Sequence, residues 1–212
     1  MKPKPPEPLL ILCGGLSSRM GSPKPLLNCR GLSLIARQVA AVQPHRPVWL
    51  AAAGNRYPQT DSVRYLDDAL AGREGALSAI LPTLQLAAAE GYDGIYVMSC
   101  DTLIPPLQLI ACLKTAEHTR AWQQGWVALA DAEDADGKMR SHPLLAHWSA
   151  GLACRLHDYL AAGHRRVMPF LAGEAQQSVA MPADWQYFTN FNTPEEFQRA
   201  LTEWERRCHS VI

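Results

Sequence analysis

The sequence predicts an α/β fold with a mostly parallel central sheet and helices on both of its faces. Short apolar runs alternate with longer segments of helical period along the chain. The runs are continuously apolar, which is typical of strands that are covered on both faces. A strand-then-helix order joins parallel strands through helical crossovers, so most of the sheet is expected to be parallel.

The strands and helices follow from these runs in chain order. Strands are predicted over residues 9–13, 48–53, 63–66, 95–100, 126–130 and 144–148, and helices over residues 32–42, 77–89, 107–117, 150–162 and 194–206. The last helix has the clearest start, because Thr193 offers an N-cap and Pro194 fits the first helical position. Residues 131–140 are polar and rich in turn formers, so a turn is expected between the last two strands.

The chain is expected to form one domain, since 212 residues suffice for a single core that buries most of its apolar surface. Residues 1–8, MKPKPPEP, are rich in proline and are predicted to be a disordered lead, with the domain over residues 9–212. This lead does not have the apolar segment of a secretion signal, and no stretch approaches the ~18 apolar residues of a membrane helix. A cytoplasmic protein with no membrane partner is therefore expected.

Charge and cysteine content also exclude several classes of protein. The 20 basic and 20 acidic residues give a formal net charge of zero, and no block of like charges occurs. A broad basic surface for nucleic acid is therefore not expected. The six cysteines form no C-x-x-C pair and no zinc-type spacing with histidine, so reduced thiols are expected.

The first strand leads into a loop that is suited to polyphosphate. Residues 9–24 read LLILCGGLSSRMGSPK, so a glycine pair is followed by Ser17, Ser18, Arg19 and Lys24. Glycines let the backbone approach phosphate oxygens, and the two cations can neutralise phosphate charge. The alternative interpretation is an ordinary glycine turn between a strand and a helix.

Spacing excludes two common phosphate loops. A Walker A loop needs G-x-x-x-x-G-K-[ST], but Gly15 and Gly21 are one residue too far apart, and two residues separate Gly21 from Lys24. The dinucleotide fingerprint G-x-G-x-x-G is also absent from the sequence. The loop is therefore predicted to bind a nucleotide or phosphate in another way.

Two further strand ends carry carboxylates. Asp101 closes the apolar run IYVMSCD, where a hard oxygen ligand suits Mg²⁺ beside substrate phosphates. The alternative for Asp101 is a cap of the following helix. Asp67 and Asp68 end an earlier strand, and since adjacent strand residues face opposite sides, at most one of them enters a site. Residues 72–77 form a second glycine loop, in which Gly75 can expose backbone groups to a base.

Seven segments together resemble one enzyme family. LCGGLSSRMGSPK, LDDAL, GALSAI, SCDTLIP, SHPLLA, GHRRVM and NFNTPEEF follow one another in the order and spacing of the molybdenum cofactor guanylyltransferases, the MobA-like nucleotidyltransferases. The resemblance extends from about residue 9 to the end of the chain. It implies a three-layer, Rossmann-like α/β/α fold with a nucleotide half over about 9–105 and an acceptor half over about 106–212. GHRRVM and NTPEE point more narrowly to the guanylyl branch.

The resemblance also implies roles for individual residues. The nucleotide contacts are Leu12, Cys13, Gly14, Gly15, Ser17, Lys24, Asp68 and Gly75. Arg19, Lys24 and Asp101 are the implied catalytic residues, with the two cations on the phosphates and Asp101 on Mg²⁺. Asn192 is placed near the metal or the phosphates.

The implied acceptor contacts are His142, Arg165, Arg166 and Asn190. Two arginines suit a dianionic acceptor, because guanidinium groups bind phosphate oxygens in a bidentate way. The alternative for both is a solvated helix N-terminus. The role of His142 stays open, whereas a core or hydrogen-bonding role is expected for His147.

Some positions depart from the family pattern. Cys13 replaces a small alanine, Ala76 replaces a proline, and Ala53 aligns with an asparagine for which Asn55 is a possible substitute. Gly14 favours the guanylyl branch, since cytidylyl relatives commonly carry alanine there. CTP nevertheless stays open as the nucleotide.

The implied reaction is Mg²⁺-dependent transfer of GMP from GTP to the terminal phosphate of molybdopterin or the molybdenum cofactor, with release of pyrophosphate. Molybdoenzyme apoproteins or cofactor chaperones are candidate protein partners. The alternatives are a cytidylyltransferase on the same cofactor, a sugar-nucleotide transferase, and a non-catalytic cofactor-binding or chaperone homologue.

Overall fold

A computed structural model describes residues 4–14, 20–72, 74–116, 126–133, 139–189 and 191–209. Within these ranges the strands are β1 (Leu9–Leu12), β2 (Asn28–Cys29), β3 (Leu32–Ser33), β4 (Val48–Ala51), β5 (Arg64–Leu66), β6 (Gly94–Ser99), β7 (Trp126–Glu133), β8 (Met139–Ser149) and β9 (Ala175–Ala180). The α-helices are α1 (Leu34–Val42), α2 (Ala76–Ala89), α3 (Pro106–Leu113), α4 (Ala153–Ala161), α5 (Val167–Leu171) and α6 (Pro194–His209). Short 3-10 helices cover Lys24–Leu26, Lys114–Ala116, Ala150–Leu152 and Ala183–Phe188.

The main sheet of the described chain has the strand order β5-β4-β1-β6-β8-β7-β9. Parallel pairing joins β1 to β4 and β6, β4 to β5, and β7 to β9. Strand β8 runs antiparallel to both of its neighbours, β6 and β7. The predicted α/β fold with a mostly parallel central sheet is confirmed.

Two hydrophobic cores lie on the two faces of this sheet. Along β1, Leu9 and Ile11 face one core while Leu10 and Leu12 face the other, so the unbroken apolar run reflects burial on both sides. The first core includes residues of α1, α3 and α6, and the second includes residues of α2, α4 and α5. The chain therefore has the predicted three-layer α/β/α arrangement.

The start of α6 is fixed by a capping box, in which Thr193 is the N-cap that the sequence predicts. The backbone N–H of Glu196 donates to Thr193 Oγ1 at 3.2 Å, and the N–H of Thr193 donates to Glu196 Oε2 at the same distance. The helix continues beyond the predicted end and reaches His209.

Several element boundaries differ from the sequence prediction. Residues 32–33 do not begin a helix but pair with residues 28–29, around a turn in which Arg30 and Gly31 have φ of 56° and 82°. Strand β9 was not predicted, because AQQSVA is a polar, largely exposed edge strand without an apolar run. The polar ends of the predicted turn over 131–140 belong to β7 and β8, and residues 134–138 lie outside the described ranges.

The segment before β1 makes specific contacts. Pro8 O accepts a hydrogen bond from Tyr96 N at 3.0 Å, and Glu7 Oε2 lies 2.8 Å from His147 Nε2. Lys4 Nζ lies 2.5 Å from Asp93 Oδ2. These contacts do not test the predicted domain boundary at residue 9. The boundary and the disordered lead over residues 1–8 therefore stay predictions. None of the helices in the described ranges is both long and apolar enough to cross a bilayer.

Candidate active site

The carboxyl ends of β1, β4, β5 and β6 meet at one edge of the sheet, because these strands are parallel. Open α/β sheets bind their ligands at this edge. The chain segments that leave these strands carry Gly14, Ala53, Asp68 and Asp101. The segments with Gly14, Asp68 and Asp101 are the three loops that the sequence singles out.

A cavity of about 250 Å³ opens between these loops. It is lined by Leu12, Gly14, Ala51, Ala53, Asp68, Gly75, Ala76, Ala79, Ser99 and Leu144. The structure thus brings together Leu12, Gly14, Asp68 and Gly75, which come from three separate segments. The lining is small and mostly apolar, with the Asp68 carboxyl and the Ser99 hydroxyl as its polar side chains.

Asp68 and Asp67 behave differently. Asp67 is exposed, whereas Asp68 is half-buried in the cavity wall. Burial, and secondly the neighbouring charge of Asp67, raise the pKa of Asp68. A carboxylate that is partly removed from water accepts hydrogen bonds from a ligand at a smaller desolvation cost, so Asp68 is suited to contact a base or a ribose.

Gly75 connects the cavity to the start of α2. Its φ of 91° lies in the left-handed region, where a residue with a Cβ would be strained. No side chain caps the N-terminus of α2. The backbone at this helix start is therefore available to acceptor groups on a ligand.

The Cys13 side chain does not face the cavity. It is buried in the core on the α1 side of the sheet, against the Cys100 thiol of the neighbouring strand end. The hydrogen bond between these thiols, together with burial, raises the pKa of Cys13 well above its ordinary value. A nucleotide contact by Cys13 stays a prediction and would use the backbone of this residue.

A second group of polar side chains lies next to the cavity. Lys24 Nζ donates to Asp101 Oδ2 at 2.8 Å and to Asn192 Oδ1 at 2.9 Å. Ser99 Oγ donates to the other carboxylate oxygen, Asp101 Oδ1. Because Ser99 also lines the cavity, it connects the cavity to the group formed by Lys24, Asp101 and Asn192, called here the lysine–aspartate–asparagine cluster.

The backbone around Asp101 is held firmly. Thr102 Oγ1 and Leu103 N both donate to Phe188 O, at 2.8 and 2.9 Å. Gln38 Nε2 donates to Thr102 O at 2.9 Å. Helix α3 begins after Pro105 without a side-chain cap, so Asp101 does not serve as the helix cap that was the alternative interpretation.

Asn192 is positioned by the capping box of α6. Its backbone N–H donates to Glu196 Oε2 at 2.6 Å, and this bond is the main reason why the pKa of Glu196 is lowered. The side-chain amide of Asn192 is thereby directed to Lys24 from a rigid helix start.

The oxygen atoms of the cluster fit a hard divalent cation. Lys24 Nζ bridges Asp101 Oδ2 and Asn192 Oδ1, so a positive charge already lies between two oxygen donors. Among the described residues no three His, Cys, Asp or Glu side chains gather into a metal cage. A single carboxylate with an amide oxygen suits Mg²⁺, which takes most of its remaining ligands from phosphates and water.

The predicted acceptor residues lie on other elements. His142 is on β8 opposite Ala130, beside a break in the β7–β8 register, and burial lowers its pKa. The Arg165 side chain donates to Glu74 Oε2 at 2.9 Å and to carbonyl groups at the end of α4. Arg166 is exposed. Four predicted site residues, Gly15, Ser17, Arg19 and Asn190, lie outside the described ranges.

Sequence reasoning missed several residues that line the cavity or contact predicted site residues, among them Ser99, Leu144 and Glu74. Ser99 is the last residue of β6 and lies two residues before Asp101 in the chain, and this spacing was an available signal. No sequence pattern indicated Glu74 or Leu144. Glu74 reaches the site through the shape of its loop, and Leu144 reaches it through the register of β8. Asn55 does not line the cavity, and its side chain donates to Ala52 O at 2.7 Å within its own turn, so its substitution for Ala53 stays a prediction.

Comparison with known proteins gives a consistent result. A family model described as the MobA-like NTP transferase domain matches residues 9–179. The chain is 33% identical over 205 residues to the molybdenum cofactor guanylyltransferase of Rhizobium meliloti (strain 1021), with 91% of this chain and 89% of the relative covered. It is 34% identical over 193 residues to the enzyme of that name from Pasteurella multocida (strain Pm70), with 89% and 96% covered.

Solved structures share the fold. The molybdopterin-guanine dinucleotide biosynthesis protein A of Archaeoglobus fulgidus superposes with a TM-score of 0.67 at 19% identity, covering 94% of this chain and 99% of that chain. A putative protein from Aquifex aeolicus VF5 superposes with a TM-score of 0.61 at 19% identity, covering 92% and 91%.

Proposed function

The chain belongs to the MobA-like NTP transferase family, and from this membership we propose that it transfers GMP from GTP to the terminal phosphate of molybdopterin and releases pyrophosphate. The observation that carries the proposal is the lysine–aspartate–asparagine cluster beside the cavity, connected through Ser99. In this proposal a nucleoside occupies the cavity, and its phosphates extend towards the cluster. The names of the relatives from Rhizobium meliloti and Pasteurella multocida support guanine and the molybdenum cofactor.

The cavity would hold the nucleoside. Asp68 offers a carboxylate to the N–H groups of guanine or to the ribose hydroxyls, and the backbone at Gly75 lies on the same wall. The small side chains of Ala51, Ala53 and Ala79 leave room for a planar ring. The implied contacts of Gly15, Ser17 and Cys13 belong to the same proposal.

The cluster would neutralise phosphate charge. Asp101 and Asn192 are the residues that would hold Mg²⁺, which supplies charge neutralisation and orientation of the phosphates. Lys24 would turn from Asp101 towards a phosphate oxygen, and Arg19 would assist it. The acceptor phosphate is itself a nucleophile, so positioning and electrostatic stabilisation suffice and no covalent enzyme intermediate is needed.

The acceptor would approach from the half of the chain over about 106–212, where His142, Arg166 and Asn190 are the proposed contacts. Because burial lowers the pKa of His142, this side chain is expected to be neutral at pH 7 and to act as a hydrogen-bonding group. Delivery of the product to a molybdoenzyme apoprotein or a cofactor chaperone belongs to the same proposal.

The test is incubation of the full chain with molybdopterin, Mg²⁺ and one nucleoside triphosphate at a time, with pyrophosphate release as the readout. Release is expected with GTP and not with CTP or UTP. Asp101→Asn should lower the rate by ~10²- to 10³-fold, because a preorganised charge contact is lost. Release with CTP in place of GTP, or none with any nucleotide, would contradict the proposal.

A further inference from the structure

Two glycine-containing loops meet at the mouth of the nucleotide cavity. The described part of the first, residues 74–75, ends at Gly75 in the cavity wall, and the second, residues 163–166, follows α4. A Cβ placed on Gly75 would lie 3.8 Å from Arg165 O, so the two backbones are in contact. The side chains join them as well, because Arg165 Nε donates to Glu74 Oε2 at 2.9 Å.

Arg165 is poorly placed to bind a phosphate. A guanidinium has five N–H donors, and Arg165 uses three of them: Nε–H on Glu74 and both Nη1 hydrogens on Leu160 O and His164 O, at 2.8 and 2.7 Å. A bidentate phosphate contact uses Nη2 together with either Nε or Nη1. Either pairing would break a bond that Arg165 already makes.

The next residue is in a different situation. Arg166 is exposed, and no ion pair joins its side chain to another residue in the described parts of the chain. Its backbone is fixed, since Arg166 O accepts from Tyr159 Oη at 3.0 Å. In the second loop, Arg165 directly precedes the exposed cation Arg166. In the first loop, Glu74 directly precedes Gly75 of the cavity wall.

We propose that Glu74 and Arg165 are positioning residues that couple nucleotide binding to acceptor binding, with Arg166 as the acceptor cation whose place they set. This inference rests on the proposed function. A bound nucleotide restricts the position of Gly75, and the Arg165–Glu74 ion pair then restricts the position of the second loop. The acceptor therefore binds to Arg166 when this residue is already in position.

The exposure of the pair separates this role from a structural one. The Arg165 and Glu74 side chains are 34% and 41% exposed. Exposed ion pairs contribute little to folding stability. Loss of the pair should therefore leave the fold intact and change the interaction between the two substrates.

The test varies GTP and molybdopterin together and measures initial rates of pyrophosphate release. For the wild-type chain, the KM for molybdopterin at low GTP should exceed its KM at saturating GTP by about fivefold or more. In Glu74→Gln this ratio should fall to near one. Arg165→Gln and the double variant should give the same value, because the two residues act as one unit.

Glu174→Gln is the matched control. Arg155 on α4 and Glu174, which directly precedes β9, form another arginine–glutamate pair, with Arg155 Nε 2.8 Å from Glu174 Oε2, and neither residue lines the cavity. This variant should keep the wild-type ratio. The inference is wrong if Glu74→Gln keeps the wild-type KM ratio, or if Glu174→Gln lowers this ratio as much as Glu74→Gln does. Either result would leave the proposed function standing. Absence of pyrophosphate release from the wild-type chain would overturn the proposed function and the inference together.

Discussion

At the scale of single residues, the Lys24 ammonium organises the candidate site. It donates to a carboxylate and to an amide that lie 77 and 168 positions away in the chain. The Lys24 and Asp101 side chains are only 14% and 19% exposed, so their attraction is screened less than that of a surface pair. In the ligand-free state the Lys24 charge balances the Asp101 carboxylate. In the reacting state it can balance the charge of a phosphate instead.

Lys24→Met tests this role, because methionine has a similar length and no charge. We expect pyrophosphate release to fall by ~10²- to 10³-fold, since a preorganised cation is removed from the phosphates. The affinity for GTP, measured by calorimetry, should fall as well. Lys4→Met is a suitable control, because Lys4 is exposed and pairs with Asp93, which directly precedes β6, whereas the cluster follows that strand. Equal GTP affinity and turnover in Lys24→Met and the wild type would remove Lys24 from the site.

The residues of the site were unequally predictable from the sequence. Asp68, Gly14 and Asp101 follow strands, and parallel strands bring their ends together, so the sequence alone places them at one edge. The Arg165–Glu74 contact depends on how α4 packs against α2, which no motif encodes. For this reason the sequence suggested a phosphate contact for Arg165, whereas the structure shows three of its N–H groups bonded within the protein.

At the scale of elements, α6 connects the site to a network of ion pairs. Its N-terminal cap orients Asn192, and almost three turns later Glu203 pairs with Arg206 and Arg207. Arg207 also pairs with Asp184, so the helix is joined to the 3-10 segment Ala183–Phe188. The position of Asn192 thus depends on a helix that is held by several carboxylates.

This arrangement predicts an acid-sensitive helix. Bonding to Arg206, and then to Arg207, lowers the pKa of Glu203 from 4.5 to about 2, and the Asn192 N–H lowers that of Glu196. Both pKa values are depressed on folding, so the stabilisation is present above the ordinary value and is lost as pH falls through the depressed one. After correction for the intrinsic exchange rate of each amide, the protection of the α6 amides against hydrogen exchange should decrease as pH falls from about 4.5 to 2. Glu203→Gln should exchange faster at neutral pH and show a weaker pH dependence. An unchanged pH dependence in that variant would contradict the assignment.

Elements were predictable where burial leaves a pattern. The strands β1, β4 and β6 have continuous apolar runs because both faces are covered. Strand β9 is a polar edge strand, and the β2–β3 hairpin has only two residues in each strand, so neither has a periodic signal. The register break between Leu129 and Ala130 extends β8 well before its apolar part, and this irregularity has no composition signal.

At the scale of the whole molecule, two cores share one sheet and the site lies at its edge. Cys13, Cys29 and Cys100 are buried in the core on the α1 side, whereas Cys154 is exposed on α4. Cys13 directly precedes Gly14 of the candidate site, and Cys100 directly precedes Asp101. These thiols therefore report whether the edge of the sheet opens separately from the core.

Among the five cysteines whose side chains the structure describes, we expect Cys154 to react first with a thiol reagent in the native protein. Cys13 and Cys100 are shielded, and the raised pKa of Cys13 keeps its thiol protonated, which suppresses reaction because the thiolate is the nucleophile. Labelling of each site in rising urea, followed by mass spectrometry, should therefore show Cys13 and Cys100 reacting together with Cys29 at the global unfolding transition. Labelling of Cys13 well before Cys29 would instead show that the edge of the site opens on its own, and the view of a rigid, preorganised cluster would then be wrong.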